Sequence, residues 1–217
     1  MTTFATLKAR IASELARSEA AFATFVSDAV LTAVQDYEAM RFHFNTARYR
    51  LNTVAGQESY TIPTDLRTPA NASLAAGESM LEIDSARLRW QNTSDYLRAV
   101  SPEWIDLYTT TATRGQPTYY SRLVDEIRLC PIPDQVYEVY FYGLKRFPAL
   151  SADGDTNPWT TDAEKLIRAR AKKTLLREVL QDFEHAAAVD VTENEALMTL
   201  SRKMAAHQPQ RIMPWGY

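Results

Sequence analysis

The apolar period changes twice along this chain of 217 residues, and those changes limit what it can fold into more than any single motif does. Phe22, Phe25, Val26, Ala29, Val30, Ala33, Val34 and Tyr37 recur at three and four residues, the spacing of one helix face. At Arg41-Phe42-His43-Phe44-Asn45 that spacing stops. Tyr49, Leu51 and Thr53 then alternate with Arg48, Arg50 and Asn52, the period of two of a strand. Helical spacing returns at Trp159, through Leu166, Ile167, Leu175, Leu176, Val179, Leu180 and Phe183, and a further helix over 189–206 carries Ala196, Leu197, Leu200 and Met204. Helices, strands, helices predict an α+β protein. Its N- and C-terminal amphipathic helices, 1–45 and 158–207, pack as a bundle, with a central antiparallel β lobe over 46–150 and an extended C-terminal tail over 208–217.

Local signals fill in that plan. Leu7, Ile11 and Leu15 mark a short first helix, and Ser18 is placed to cap the second. Gly56 centres a turn between strands ending at Thr53 and resuming at Tyr60 and Ile62, which predicts a hairpin closed by Pro63. Residues 64–78 read as loop and 80–90 as a strand. Ser101-Pro102-Glu103 is a helix start, with Trp104, Leu107 and Tyr108 on its apolar side. Strands follow over 118–123, 126–130 and 136–144, the last apolar on both faces: Tyr137, Val139 and Phe141 on one, Val136, Tyr140, Tyr142 and Leu144 on the other.

Catalytic chemistry is hard to find in this chain. It has six Gly, and no stretch reads as a phosphate-binding G-x-G-x-x-G or G-x-x-x-x-G-K-[ST]. Its one Cys, Cys130, forms no intrachain disulfide, and with three scattered His it builds no zinc site. The pairs Asp153 with Asp155 and Glu193 with Glu195 lack the spacing of a calcium loop, and turn chemistry accounts for the first. No catalytic, cofactor or metal residues are expected. No stretch is long and apolar enough to span a bilayer or to serve as a signal peptide, so a soluble intracellular product without membrane contact is expected.

Two features stand out. Lys165, Arg168, Lys172, Lys173 and Arg177, with Arg170 between them, give one C-terminal helix a basic surface: a solvated face, or a contact for an acidic partner or DNA phosphates. Against 27 Asp plus Glu and only 24 Lys plus Arg overall, any such stripe is local. The ten-residue tail holds Ile212, Met213, Pro214, Trp215 and Tyr217. With two prolines it cannot continue a helix, and at about 3.3 Å per residue it reaches roughly 30 Å, which suits docking on a partner.

These residues together resemble a family. The helix ending in Arg41-Phe42-His43-Phe44-Asn45, then Thr53-Val54-Ala55-Gly56 with Tyr60-Thr61-Ile62-Pro63-Thr64-Asp65-Leu66, is similar to the head-to-tail adaptor proteins of tailed bacteriophages. Gly115-Gln116-Pro117, Pro131-Ile132-Pro133-Asp134 and Tyr137 resemble its second cluster, and Trp159 completes the order. The resemblance implies a structural virion protein, made in the host cytoplasm. Copies would form a ring, twelve-fold, between the portal and a downstream tail or tail-terminator protein, with DNA passing through in transient, non-specific contact. It also makes Tyr137, Tyr140, Phe141 and Tyr142 candidate subunit contacts and the tail a portal contact. A small intracellular hydrolase and a DNA-binding protein are the alternatives.

Overall fold

The computed structural model describes residues 2–109 and 114–207, so the tail with Ile212, Met213, Pro214, Trp215 and Tyr217 lies outside the described residues. In chain order the elements are α1 (Phe4–Glu14), α2 (Ala20–Glu38), β1 (Thr46–Asn52), β2 (Ser59–Thr61), β3 (Ser79–Trp90), β4 (Thr93–Ala99), α3 (Pro102–Thr109), β5 (Tyr119–Leu123), β6 (Glu126–Cys130), β7 (Glu138–Arg146), α4 (Pro158–Thr161), α5 (Glu164–Thr174) and α6 (Phe183–His207). They form two units, Met1–Asn45 with Ala149–Tyr217, and Thr46–Pro148.

In the helical unit, Thr3 caps α1 by accepting a hydrogen bond from the Thr6 amide at 3.2 Å, and Leu7 and Ile11 are fully buried. α2 buries Phe22, Val26, Ala29, Val30, Ala33 and Tyr37, the face its spacing predicts. Its N-cap is Glu19 rather than Ser18, with no side-chain cap bond. The helix expected to run unbroken from Trp159 to Phe183 is interrupted instead. A π turn at Leu175–Val179 follows α5, and Gln181 takes a φ of +52°. Asp182 then accepts from the His185 amide at 3.1 Å, so α6 starts at Phe183, a turn and a half before the expected 189.

The strand unit corrects the expected fold class. A helical bundle bearing a central antiparallel lobe is not what forms, because the strands make a curled seven-stranded sheet that has its own core and is not wholly antiparallel. The order is β1-β7-β3-β4-β5-β6-β2, and β4 runs parallel to β5, with Arg98 opposite Tyr119. β1 and β2, expected as a hairpin, lie at opposite edges. The reason is visible between them. The Thr53 amide donates to Tyr137 O at 2.9 Å, its hydroxyl donates to Gln135 O at 2.9 Å, and the Gly56 amide donates to Pro133 O at 2.8 Å. Thr53 and Gly56 are therefore held by the segment before β7, which takes the chain away from a hairpin.

The curl follows from chain length. Seven flat strands would separate the two edges by roughly 29 Å, whereas six linking residues span at most about 24 Å. All seven strands contribute to one core, with Tyr49, Tyr60, Leu88, Leu97, Tyr120, Ile127 and Phe141 among its members. Two register shifts in β3, between Met80 and Glu82 and between Ile83 and Ser85, bend it where it passes Gly143 of β7. β4 carries no strand signal in the sequence, because of its seven residues only Leu97 is buried, leaving no apolar alternation to read.

Candidate functional site

The residues that carry the family resemblance are used inside the fold. Asn45 is fully buried. Its Oδ1 accepts from the Phe42 amide at 2.7 Å and its Nδ2 donates to Met40 O at 2.7 Å, closing the turn that Arg41 opens at the end of α2. That turn stacks Phe42 on Phe44, ring centres 5.4 Å apart, and both meet the edge of Trp159. Trp159 is itself set by Asn157, which accepts from the Trp159 and Thr160 amides in a capping box with Pro158 at the first helical position. An Asn45→Ala variant removes the side-chain partner of the buried Phe42 amide and of the partly buried Met40 carbonyl, so it should lose about 1–3 kcal/mol, read as a lowered denaturant midpoint at unchanged slope.

In the strand unit the Tyr60 hydroxyl accepts from the Val54 amide and donates to Gln57 O, both at 3.0 Å, which fixes the turn in which Gly56 takes a φ of +81°. Asp65 accepts from the Thr61 amide at 2.7 Å, on the far side of Pro63. The Gly115 amide donates to Ile132 O at 2.9 Å, between Pro131 and Pro133, and Pro117 is buried. Cys130 is 5% exposed, and burial pushes its thiol up. Among the described residues no group of three His, Cys, Asp or Glu is placed to hold a metal ion, and no helix is long and apolar enough to cross a membrane.

The four strand residues proposed as contacts separate. Tyr137 and Phe141 are 3% and 0% exposed and belong to the core of the strand unit. Tyr140 and Tyr142 lie on the opposite, outward face, half-buried. The basic helix surface also divides. Lys165 and Arg177 are exposed, but the four cations between them reach acids on other helices. Arg168 meets Glu14 at 3.2 Å, and Lys172 meets Glu14 at 2.6 Å. Arg170 meets Asp36 at 2.8 Å, and Lys173 meets Asp190 and Glu193. Glu193, 5% exposed, also accepts from the Tyr37 hydroxyl, and burial together with that carboxylate raises the Tyr37 pKa. Much of the stripe therefore joins helices together.

This network has an acid limit. Burial alone would raise the Glu164 carboxyl, but the Thr2 hydroxyl at 2.8 Å, Arg10 and Arg168 hold it below the usual glutamate range. Unfolded, it titrates near pH ~4.3. Between the folded and unfolded values the unfolded chain binds more protons, so this stabilisation is complete above about pH 4.3 and is lost as pH falls through the lower folded value. Urea midpoints between pH 6 and 3 should therefore fall less steeply for Glu164→Gln than for the wild type.

Strand pairing also assembles a surface that no stretch of sequence shows. Across β1, β7, β3 and β4 three successive rows of outward residues are Asn52, Glu138, Arg89, Ser94; Arg50, Tyr140, Arg87, Tyr96; and Arg48, Tyr142, Ser85, with Arg98 one residue past the last paired position; a fourth, Thr46, Leu144 and Glu82, follows beyond the first bulge. The Arg87 guanidinium lies 4.1 Å from the centre of the Tyr96 ring, and that of Arg48 5.1 Å from Tyr140. Arg50 pairs with Glu138 at 2.6 Å, and the Tyr140 hydroxyl donates to the same carboxylate at 2.9 Å.

The family described as SU10 adaptor protein matches residues 2–213, nearly the whole chain and both units. The chain belongs to this phage head-to-tail adaptor family. No curated protein matches it. Within the matched span lie the Phe42, Gly56, Tyr60, Pro63, Asp65 and Gly115 positions described above, which in this chain serve turns and packing.

Proposed function

We propose that this chain is a structural virion protein whose copies form a ring between the portal and the tail of a tailed phage, with DNA passing through the centre. The observation that carries this reading is the adaptor family match over residues 2–213. The use of the motif residues for turns and packing supports a scaffold without catalysis. A downstream tail or tail-terminator protein is the second partner, and twelve copies is the number the resemblance implies.

The tail, 208–217, is assigned to the portal. Ile212, Met213, Pro214, Trp215 and Tyr217 supply apolar and aromatic anchors on a segment whose two prolines disfavour a helix. Deleting 208–217 should leave the chain folded, with a melting temperature within about 2 °C of the full chain, and should weaken attachment to portal at least about tenfold. Attachment of the shortened chain at full strength, in pull-down titrations, would contradict this role.

Contacts between copies are assigned to α6. With Tyr137 and Phe141 in a core, the large apolar side chains left outward in the helical unit include Phe183, Val191 and Met198, 65%, 61% and 60% exposed. Their spacings of eight and seven place them on one stripe of α6. A second copy is the occupant of this stripe, because a ring needs a self-contact and these side chains meet water otherwise. The double substitution Val191→Asp with Met198→Asp should leave the monomer folded and reduce ring formation on the portal at least tenfold, read as mass.

A further inference from the structure

We infer that the outward face of β1, β7, β3 and β4 is a site for the phosphate backbone of duplex DNA. The inference rests on the adaptor reading only in naming DNA as the polyanion at hand; the site itself is carried by side-chain placement. Residues 46–148 hold 11 Lys plus Arg against 12 Asp plus Glu, so this unit has no basic excess. Yet the three rows of this face gather Arg48, Arg50, Arg87, Arg89 and Arg98 around a single carboxylate, Glu138. Among the described residues only Arg50 of the five forms an ion pair. Charge has been sorted onto one face of a nearly neutral unit.

The kind of partner follows from what else the face carries. The remaining residues of these three rows are Tyr, Ser and Asn; the one aliphatic side chain on this face, Leu144 in the next row beside Thr46 and Glu82, is 2% exposed and offers no apolar surface. The fully buried core of a protein interface is more apolar than its rim, and these rows expose no aliphatic side chain to build one. A phosphate backbone needs none, and takes charge and hydrogen bonds from a polar surface. Every cation here is Arg, whose planar fork suits phosphate oxygens. Tyr96 and Tyr140 hold Arg87 and Arg48 by cation–π contact, which limits the rotamer freedom lost on binding. Along a strand, alternate arginines such as Arg48 and Arg50 stand about 6.7 Å apart, and β1 and β3, on either side of β7, are separated by about 9.6 Å. Such a lattice engages several phosphates at once and reads no base edge, so binding is independent of sequence.

The test uses the full chain and a fluorescein-labelled 40-base-pair duplex of arbitrary sequence, followed by anisotropy at 50 and 200 mM NaCl. Four phosphate contacts predict roughly a hundredfold loss of affinity between those salts. The triple variant Arg87→Gln, Arg89→Gln, Arg98→Gln should bind at least about tenfold more weakly at 50 mM with a shallower salt slope. The corresponding triple Lys variant should stay within about threefold of wild type, since it keeps the charge; melting curves confirm that both fold. Wild type without affinity at 50 mM, or a Gln variant that binds like wild type, overturns the site. Assembly on the portal is measured in parallel by mass. A ring that forms normally while DNA binding fails overturns this site and leaves the adaptor reading standing. Loss of portal attachment in the Gln variant, with no DNA affinity in the wild type, marks the face as a protein contact and overturns the proposal.

Discussion

Replacing Gly143 with alanine is expected to be the most damaging single-atom change in the strand unit. A Cβ built there lies 1.8 Å from the carbonyl oxygen of Glu82, 2.8 Å from its carbonyl carbon and 3.1 Å from the Cα of Ile83. All three are backbone atoms of β3, at the stretch between its two register shifts, so no side-chain rotation relieves the clash. Gly143 is also the residue opposite Ile83 in the ladder, and its neighbours Tyr142 and Leu144 are paired on both sides. Either β3 moves away and gives up its longest pairing, or β7 twists and exposes Phe141. The expected loss is at least about 3 kcal/mol, a large part of the 5–15 kcal/mol that holds a typical domain. For a unit of this size that amounts to a fall of about 12 °C or more in melting temperature. Circular dichroism melts check this; an unchanged melt would mean that the β3 bulge does not approach β7 as described.

The second large effect is expected at Trp159. It is 2% exposed and presents its ring against Phe42 and Phe44, with centres 5.7 and 5.0 Å away and planes nearly perpendicular, the edge-to-face arrangement that aromatic quadrupoles favour. Trp159→Ala should cost about 3–5 kcal/mol, because the capping box at Asn157 holds the backbone in place and prevents collapse into the space left. Trp159→Phe keeps an aromatic edge and should recover more than half of that. Denaturant midpoints followed by far-ultraviolet circular dichroism distinguish the two. Equal midpoints for wild type and Trp159→Ala would show that the aromatic cluster contributes no stability.

What was legible in the sequence was local. The apolar spacing of α2 shows its buried face, Ser101-Pro102-Glu103 marks the start of α3, and Gly56 falls where positive φ is needed. Strand partners were not legible, because a period of two says which side chains share a face and nothing about which strand lies alongside. That is why residues 46–62 looked like a hairpin although β1 pairs with β7 and β2 with β6. β7 looked apolar on both faces because it sits between β1 and β3, with Phe141 in the core and Tyr140 and Tyr142 packed among arginines.

The same limit hid the candidate surfaces. Arg48 and Arg50 alone read as the polar side of one strand. They become part of a basic face only when β7 brings them into line with Arg87 and Arg89, nearly forty residues away in sequence. Conversely, the cations of α5 looked like the strongest charge feature of the chain, yet Glu14, Asp36, Asp190 and Glu193 neutralise four of them from other helices. Charge runs along a sequence and charge patches on a surface are different quantities, and in this chain they fall in different places.

The ring proposed for this adaptor family member is open to native mass spectrometry of the full chain, alone and mixed at micromolar concentration with the portal protein of the same phage. A monomer or weak oligomer is expected alone, and with portal a discrete complex carrying a fixed number of copies, twelve by the resemblance. No association with portal at those concentrations, or a stoichiometry that rises without limit as a filament would, contradicts it.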